Sequence, residues 1–405
     1  MAPELRPITP EEFEEFTSVM SHAFGWVFRE HETELWKEGL EFDRTLSGFE
    51  DGRMVSTAGA ITFQMTVPGG LVPTAGVTMI SVLPSHRRRG VLRAMMERQL
   101  TDVRERSEPV AALWASESLI YGRFGYGMAA AKASWEIDRT HTVIAHSALP
   151  AGQVRLIEVD EAKKIVPGVY EAIRPGRAGM LTWPEERWEW MWFDPEYWRE
   201  GASERRYAIY EEAGEALGAA VYSTHSKWED GFGAGKVAVR LMLAETLEAY
   251  EALWGYLFGI DLVTKIGAQV RPADELLEWM LADPRRLQIK RSDGLWVRIL
   301  DVPAALEARR YGQEARLVIE VGDQLLPDVG GRFELEGGPE GSTCQQTEEE
   351  ADLELDVQAL GAIYLGADHT RGLYQAGRIS GSQAAVRVLD GMFRGDHEPW
   401  CPMFF

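Results

Sequence analysis

Arg87, Arg88, Arg89 and Gly90 stand consecutively, a spacing suited to holding a polyanion. Guanidinium groups grip phosphate oxygens with paired N–H donors, and a glycine lets an anion approach the backbone. The flanking elements give the cluster its position. Upstream, Val77, Met79, Ile80 and Val82 are apolar and partly β-branched, which predicts a buried strand. Pro84 cannot donate to a sheet ladder, so the strand must end there. Downstream, Val91, Leu92, Met95, Met96, Leu100 and Val103 recur on one helical face. The basic loop therefore leads into a helix N-terminus, whose free N–H groups and dipole attract an anion. A pyrophosphate fits this arrangement. A merely solvated basic loop would share the arginines but has no need of the order strand, proline, basic loop, glycine, apolar helix.

The 405 residues exceed what one core usually serves, so two or three domains are expected. The net charge of −22, from 42 basic and 64 acidic side chains, argues against non-specific nucleic-acid binding and against an anionic membrane surface. It would draw a cationic substrate, although acidity also serves solubility alone. Cys344 and Cys401 have neither metal-ligand spacing nor a disulfide framework, and no metal is expected. The first twenty residues are acidic and lack a long apolar run, so no signal peptide and a cytoplasmic location are expected.

Three blocks divide the chain. In residues 1–150, helical periodicity at 11–24 precedes strands at 40–49 and 54–67, joined by Asp51-Gly52, a hairpin signal. The strand ending at Val82, the helix after Gly90 and an apolar run at 110–114 complete a mixed α/β sheet. Ser116 is placed to cap a short helix that Gly125 ends. Residues 151–295 repeat that outline weakly, with strands at 207–210, 216–222, 237–243 and 261–266 and a helix at 247–258. Only Ala244-Glu245-Thr246 replaces the basic loop, so this copy has lost the anion site. Residues 296–405 form an α+β block, opened by an alternating strand at 295–302. Five tryptophans between Trp183 and Trp198 read as packing area in preference to a ligand wall.

Arg87-Arg88-Arg89-Gly90-Val91-Leu92 resembles the acyl-CoA pyrophosphate loop of the GNAT N-acetyltransferases, Gln/Arg-x-x-Gly-x-Gly/Ala. The first four positions match, and Leu92 departs from the usual small residue. Thr78 to Val82 together with His86 to Gly90 resembles one branch more closely, the Eis (enhanced intracellular survival) acetyltransferases. That resemblance implies two GNAT-like domains, the second degenerate, followed by a sterol-carrier-like domain. It implies acetyl-CoA as cosubstrate, with Ile80, Ser81 and Val82 along the pantetheine arm. Arg88, Arg89, Gly90, Val91, Leu92 and Arg93 would surround the pyrophosphate, and Ser116 and Glu117 would also touch the cofactor. Tyr121-x-x-x-Gly125-Tyr126 matches the GNAT pattern whose first tyrosine protonates the leaving thiolate, with Tyr126 the rival.

The ending Trp400-Cys401-Pro402-Met403-Phe404-Phe405 is apolar and restricted by its prolines, which suggests a docked tail. In Eis enzymes the terminal carboxylate acts as base, and Phe405 holds that place. Phe404 stands where some members carry an acid. Glu30, Glu32 and Glu34 are spare acids near the substrate side. The function implied is direct acetylation of primary amines on cationic molecules, namely aminoglycosides, polyamines or lysine side chains, by a homohexamer. The alternative is a non-catalytic protein that senses acyl-CoA or carries a lipid or partner. Thiol release from acetyl-CoA separates the two.

Overall fold

The computed structural model describes residues 3–145 and 150–405, and three main sheets organise them. The first has the order β1 (Glu4–Arg6), β2 (Ser47–Glu50), β3 (Arg53–Val67), β4 (Gly70–Val82), β5 (Val110–Trp114), β16 (Leu295–Ile299), β6 (Gly127–Met128). Asp51 and Gly52 both take positive φ, 50° and 76°, as a tight two-residue hairpin requires. Helices α1 (Phe13–Phe24) and α2 (Glu30–Glu38) follow β1. α3 (Val91–Glu105) carries the chain from β4 to β5, and α4 (Ser118–Tyr121) precedes β6. The apolar face of α3 buries Val91, Met95, Met96, Leu100 and Val103 as its periodicity requires, together with Gln99, whose Nε2 donates to the Gly59 carbonyl at 3.0 Å.

The second sheet repeats the plan. Its strands are β7 (Ala131–Asp138), β8 (Gln153–Ile157), β9 (Arg206–Glu212), β10 (Glu215–His225), β13 (Gly235–Ala244), β14 (Val263–Pro272) and β15 (Lys290–Asp293). They lie in the order β15-β7-β14-β13-β10-β9-β8, with a small hairpin, β11 (Trp228–Glu229) and β12 (Phe232–Gly233), outside them. α5 (Val159–Ile173), α6 (Glu185–Trp192), α7 (Leu247–Phe258) and α8 (Leu277–Met280) accompany it. The third sheet has the order β19 (Gly341–Gln346), β18 (Gly331–Gly338), β17 (Ala315–Gly322), β20 (Leu353–Asp356), β21 (Ile379–Gly381). It is packed by α9 (Val302–Glu307), α10 (Val357–Ile363), α11 (Thr370–Gln375) and α12 (Gln383–Phe393). Among the described residues no helix is long and apolar enough to cross a membrane.

The strand pairing departs from three sequential blocks. β7 precedes residue 150 yet pairs with β14 and β15 of the second sheet. β16 follows the second sheet in sequence yet inserts between β5 and β6 of the first. Boundaries at 150 and 296 thus cut through an exchange of strands. All five residues of β16 are buried, because both its faces are covered. The strand expected to run to Val302 stops at Ile299, where Asp301 caps α9 by accepting from Ala304 N at 3.0 Å. The strand expected from Leu40 begins only at Ser47, since residues 42–44 form a single 3₁₀ turn.

One buried ion pair ties the first sheet to the third unit. Arg298 of β16 meets Asp323, and both side chains are almost wholly enclosed. Removing one partner strands the other charge in a poorly solvated interior. Asp323→Ala is therefore expected to cost about 3–5 kcal/mol. Chemical or thermal unfolding should show the loss as a lowered midpoint. An unchanged midpoint would mean that solvent reaches Arg298.

Candidate active site

β4 and β5 run parallel and pair from Thr74–Val110 to Gly76–Ala112, and then part. Beyond that point β4 continues to Val82 and β5 to Trp114, which opens a fork at their C-terminal ends. Met79 takes φ 55°, and the register against β3 shifts between Thr57 and Gly59, so a bulge turns the end of β4 outward. Ile80, Ser81 and Val82 lie on this outward segment. Ser81 is buried, with its Oγ 2.7 Å from Thr57 Oγ1. The backbone of β4 past Gly76 has lost its neighbour on the β5 side and is open to an extended ligand.

The arginine loop follows at the end of β4, and its three arginines are not equivalent. Arg87 donates to the carbonyls of Val82 at 3.3 Å and Ala23 at 3.1 Å, which straps the loop down. Arg89 lies 3.5 Å from Glu50, which also sits 3.3 Å from His86. Arg88 is exposed and forms no ion pair among the described residues. Gly90, with φ 85°, opens α3, and Ala94 N donates to its carbonyl at 3.0 Å. The preceding helical N–H groups of Val91, Leu92 and Arg93 have no carbonyl to meet and face an incoming anion. A Cβ on Gly90 would meet no protein atom within 4 Å, so the space over it is empty. Arg93 pairs along the helix with Glu97 at 2.8 Å.

Tyr121 closes α4 and is 6% exposed, against Tyr126 edge-on at 6.1 Å. Burial pushes the Tyr121 phenol above its usual pKa. Ser116 opposes this by hydrogen bonding, and Glu117 adds to it through its charge. Ser116 does not cap the helix: α4 starts at Ser118 after extended Glu117. Tyr126 is fully buried, its hydroxyl has no partner, and burial raises its pKa further.

The C-terminal tail is pinned along its length. Trp400 N donates to Ala178 O and its Nε1 to Val270 O, each at 2.8 Å. Cys401 Sγ and Trp114 Nε1 both donate to Met403 O at 3.2 Å. Phe405 is 4% exposed, its ring 5.2 Å from that of Phe63 and inclined by 62°. A Cβ on Gly76 would come within 3.1 Å of the same ring. The tail therefore ends at the fork, between the last paired residue of β4 and the last residue of β5. Phe63 supplies an aromatic partner for Phe405 that the adjoining residue does not. Phe404 is 71% exposed and leans on Trp114, while Phe63, backed by Trp183 at 5.8 Å, packs on Phe405. Of the spare acids only Glu32 is buried, and it accepts from Arg29 N at 2.8 Å.

The structure gathers Ile80–Val82, the arginine loop and the tail end around one fork, and it shows neighbours that the sequence did not disclose. Gly76 and Phe63 form the seat of Phe405. Their only sequence signal was a glycine inside a strand pattern, which marks a close approach. The tryptophan run serves two purposes. Trp188 and Trp192 are core, Trp190 and Trp198 line a cavity beside the tail, and Trp183 is a core residue that also borders it.

The second sheet carries a fork of the same kind. β13 and β14 pair in parallel from Gly235–Val263 to Val239–Ala268. Thr246 there caps α7 by accepting from Ala249 N at 3.1 Å, and nearby the buried Glu275 carboxylate accepts from Arg271, Trp135 and Tyr250. The helix start that is left open in the first copy is here capped by a protein side chain.

Residues 4–129 match the acetyltransferase (GNAT) domain family, residues 179–299 a second acetyltransferase (GNAT) family, and residues 302–402 the sterol carrier protein domain. The chain is 38% identical to an uncharacterized N-acetyltransferase from Streptomyces avermitilis over the full length of both. It is 35% identical to the N-acetyltransferase Eis of Mycobacterium tuberculosis, over 85% of this chain and 84% of that one. The crystal structure of Eis1 from Mycobacterium abscessus superposes with a TM-score of 0.87 at 32% identity, covering 99% of this chain and 100% of the other. A forked GNAT sheet, a second such sheet without its anion loop, and a sterol-carrier domain whose tail returns to the first fork make this chain a member of the Eis family of GNAT N-acetyltransferases.

Proposed function

We propose that this enzyme transfers an acetyl group from acetyl-CoA directly to a primary amine at the fork between β4 and β5. Lysine side chains, polyamines and aminoglycosides are the candidate acceptors. The observation that carries this reading is the coincidence of the fork with the buried end of the tail at Phe405. Bound acetyl-CoA supplies the acetyl carbon as an activated thioester. Backbone groups of Ile80, Ser81 and Val82 orient the pantetheine arm where β4 has no partner strand. Arg88, Arg89 and the N–H groups of Gly90, Val91, Leu92 and Arg93 hold the pyrophosphate, with Ser116 and Glu117 bordering the arm. The Phe405 carboxylate takes a proton from the acceptor ammonium, and the amine nitrogen then bonds to the acetyl carbon as the carbon–sulfur bond breaks. Tyr121 gives its proton to the departing sulfur, and the second proton that the nitrogen loses restores the phenol through water, so the products are an amide and a thiol.

Thiol release from acetyl-CoA with a panel of primary amines tests the reaction. Release with no amine in the panel would count against it. The cofactor site has a separate test. Gly90→Glu places a carboxylate over the helix N-terminus in a space that no protein atom fills. It should weaken acetyl-CoA binding at least about tenfold by calorimetry. Positive φ at residue 90 adds backbone strain, so the melting curve must show a folded protein. Unchanged affinity in that folded variant would place the pyrophosphate elsewhere.

A further inference from the structure

A cavity of about 940 Å³ lies beside the tail, between α6 with the segment that follows it and one face of the second sheet. Met403 and Phe404 form part of its wall. So does Trp183, which stacks on Phe63, the ring that packs on Phe405. The cavity thus abuts the end of the fork where the acceptor amine must arrive. Its size is that of a small-molecule site.

Its charge is opposite to that of the chain. The protein carries 64 acidic and 42 basic side chains, yet this wall holds six Lys and Arg against three carboxylates. Some of these cations are accounted for by protein. Glu136 pairs with Lys236 at 2.6 Å, and Asp194 with Arg199 at 3.1 Å and Arg205 at 3.5 Å. Two are not. Arg187, on α6, is 4% exposed; among the described residues it donates only to the Gly39 carbonyl, at 3.1 Å, and its Nε has no partner. Arg240, on β13, is exposed to the cavity and has no carboxylate within 4.0 Å among the described residues. Loss of water around Arg187 lowers its pKa to about 10, and Arg240 shifts in the same direction. The buried Arg187 guanidinium, with no carboxylate within 4.0 Å among the described residues, is costly unless an anion joins it, and Arg240 stands exposed to the cavity beside it. A fork of N–H donors suits a carboxylate or a phosphate equally.

We propose that this cavity is the acceptor's second subsite and receives an anionic group, carboxylate or phosphate, on the same molecule whose amine is acetylated. The inference rests on the acetyl-transfer reading and narrows it: the preferred acceptor carries both charges and is not a simple polycation. The amine would lie toward the Phe405 carboxylate and the anion toward Arg187 and Arg240.

Two matched pairs of acceptors test it and separate the two anions. They are Nα-acetyl-lysine against Nα-acetyl-lysine amide, and phosphoethanolamine against ethanolamine. The anionic member of at least one pair should show kcat/KM higher by about tenfold or more. Arg240→Met should bring that ratio close to one by slowing the anionic member. Equal values within both pairs, or a preference that survives Arg240→Met, would overturn the proposal while leaving acetyl transfer intact. Binding gives a readout that does not need turnover. Inorganic phosphate or acetate should alter the fluorescence of the cavity tryptophans in the wild type, with an apparent Kd weakened about tenfold or more in Arg240→Met. Anion binding without any thiol release would uphold the subsite and refute the transfer reading. Binding of neither anion would refute the subsite.

Discussion

Tyr121→Phe should lower turnover by about 10²–10⁴-fold and leave acetyl-CoA affinity nearly intact. The substitution keeps the ring that packs against Tyr126 and removes only the hydroxyl. A departing thiolate needs a proton at the moment the carbon–sulfur bond breaks, and without a donor that step bears the whole cost. The pKa argument has a definite sign. Burial raises the Tyr121 phenol above its ordinary value near ~10, so the group stays protonated throughout the neutral range. Wild-type kcat should therefore show no alkaline fall below about pH 10 on account of this residue. Tyr126→Phe is the control. Its hydroxyl is fully enclosed with no partner, so its loss removes an unsatisfied group and should leave turnover close to wild type. Steady-state kinetics on both variants, with calorimetry for acetyl-CoA, decide the matter. A large loss in Tyr126→Phe alone would exchange the two roles.

Local signals carried much of the fold, and non-local pairing was what they lacked. The strand, loop and helix from Val77 to Val103 were legible because apolar period, proline and glycine all agreed at one place. The Asp51-Gly52 hairpin was legible for the same reason. β16 was not. Its alternation implied one buried face, whereas all five residues are buried, and no short pattern says which strands lie beside it, at Val110–Trp114 and Gly127–Met128. The end of β16 was readable in principle. Asp301 followed by Pro303 is a helix-start signal, and the apolar run up to Val302 masked it. In the site, Arg88 was legible as a free charge, but the fates of Arg87 and Arg89 depended on Ala23 and Glu50, which folding brings near. Arg187 and Arg240 carried no sequence signal at all. An arginine on a helix and one on a strand look solvent-facing until the cavity is seen.

Extending the chain beyond Phe405 should abolish turnover while leaving acetyl-CoA binding intact. An ordinary α-carboxyl, with a pKa near ~3.5, is too weak a base to deprotonate an alkylammonium near ~10 directly. Position and surroundings have to help it. Phe405 is seated against Phe63 at a point where even a methyl on Gly76 would crowd its ring, so the carboxylate has little freedom to wander. Among the described residues no lysine, arginine or histidine lies within 4.0 Å of it, so its charge is free to meet the acceptor. A water can relay the proton to it, and its fixed charge can anchor the ammonium until the neutral amine reacts. A few added residues would convert the carboxylate to an amide and move the charge away, and they would also have to escape past Phe63 and Trp183. Deleting Phe405 withdraws the charge by one residue and empties the seat. An N-terminal tag changes none of this, because β1 pairs at the edge of the first sheet, four strands from β5. Both tail variants should therefore bind acetyl-CoA by calorimetry and lose thiol release, whereas the N-terminally tagged protein keeps both. A C-terminally extended enzyme with full activity would remove Phe405 from the reaction. Glu32 is capped within α2 and exposed Glu30 and Glu34 lie on the same helix, so the search would then turn to a water-mediated route from those acids.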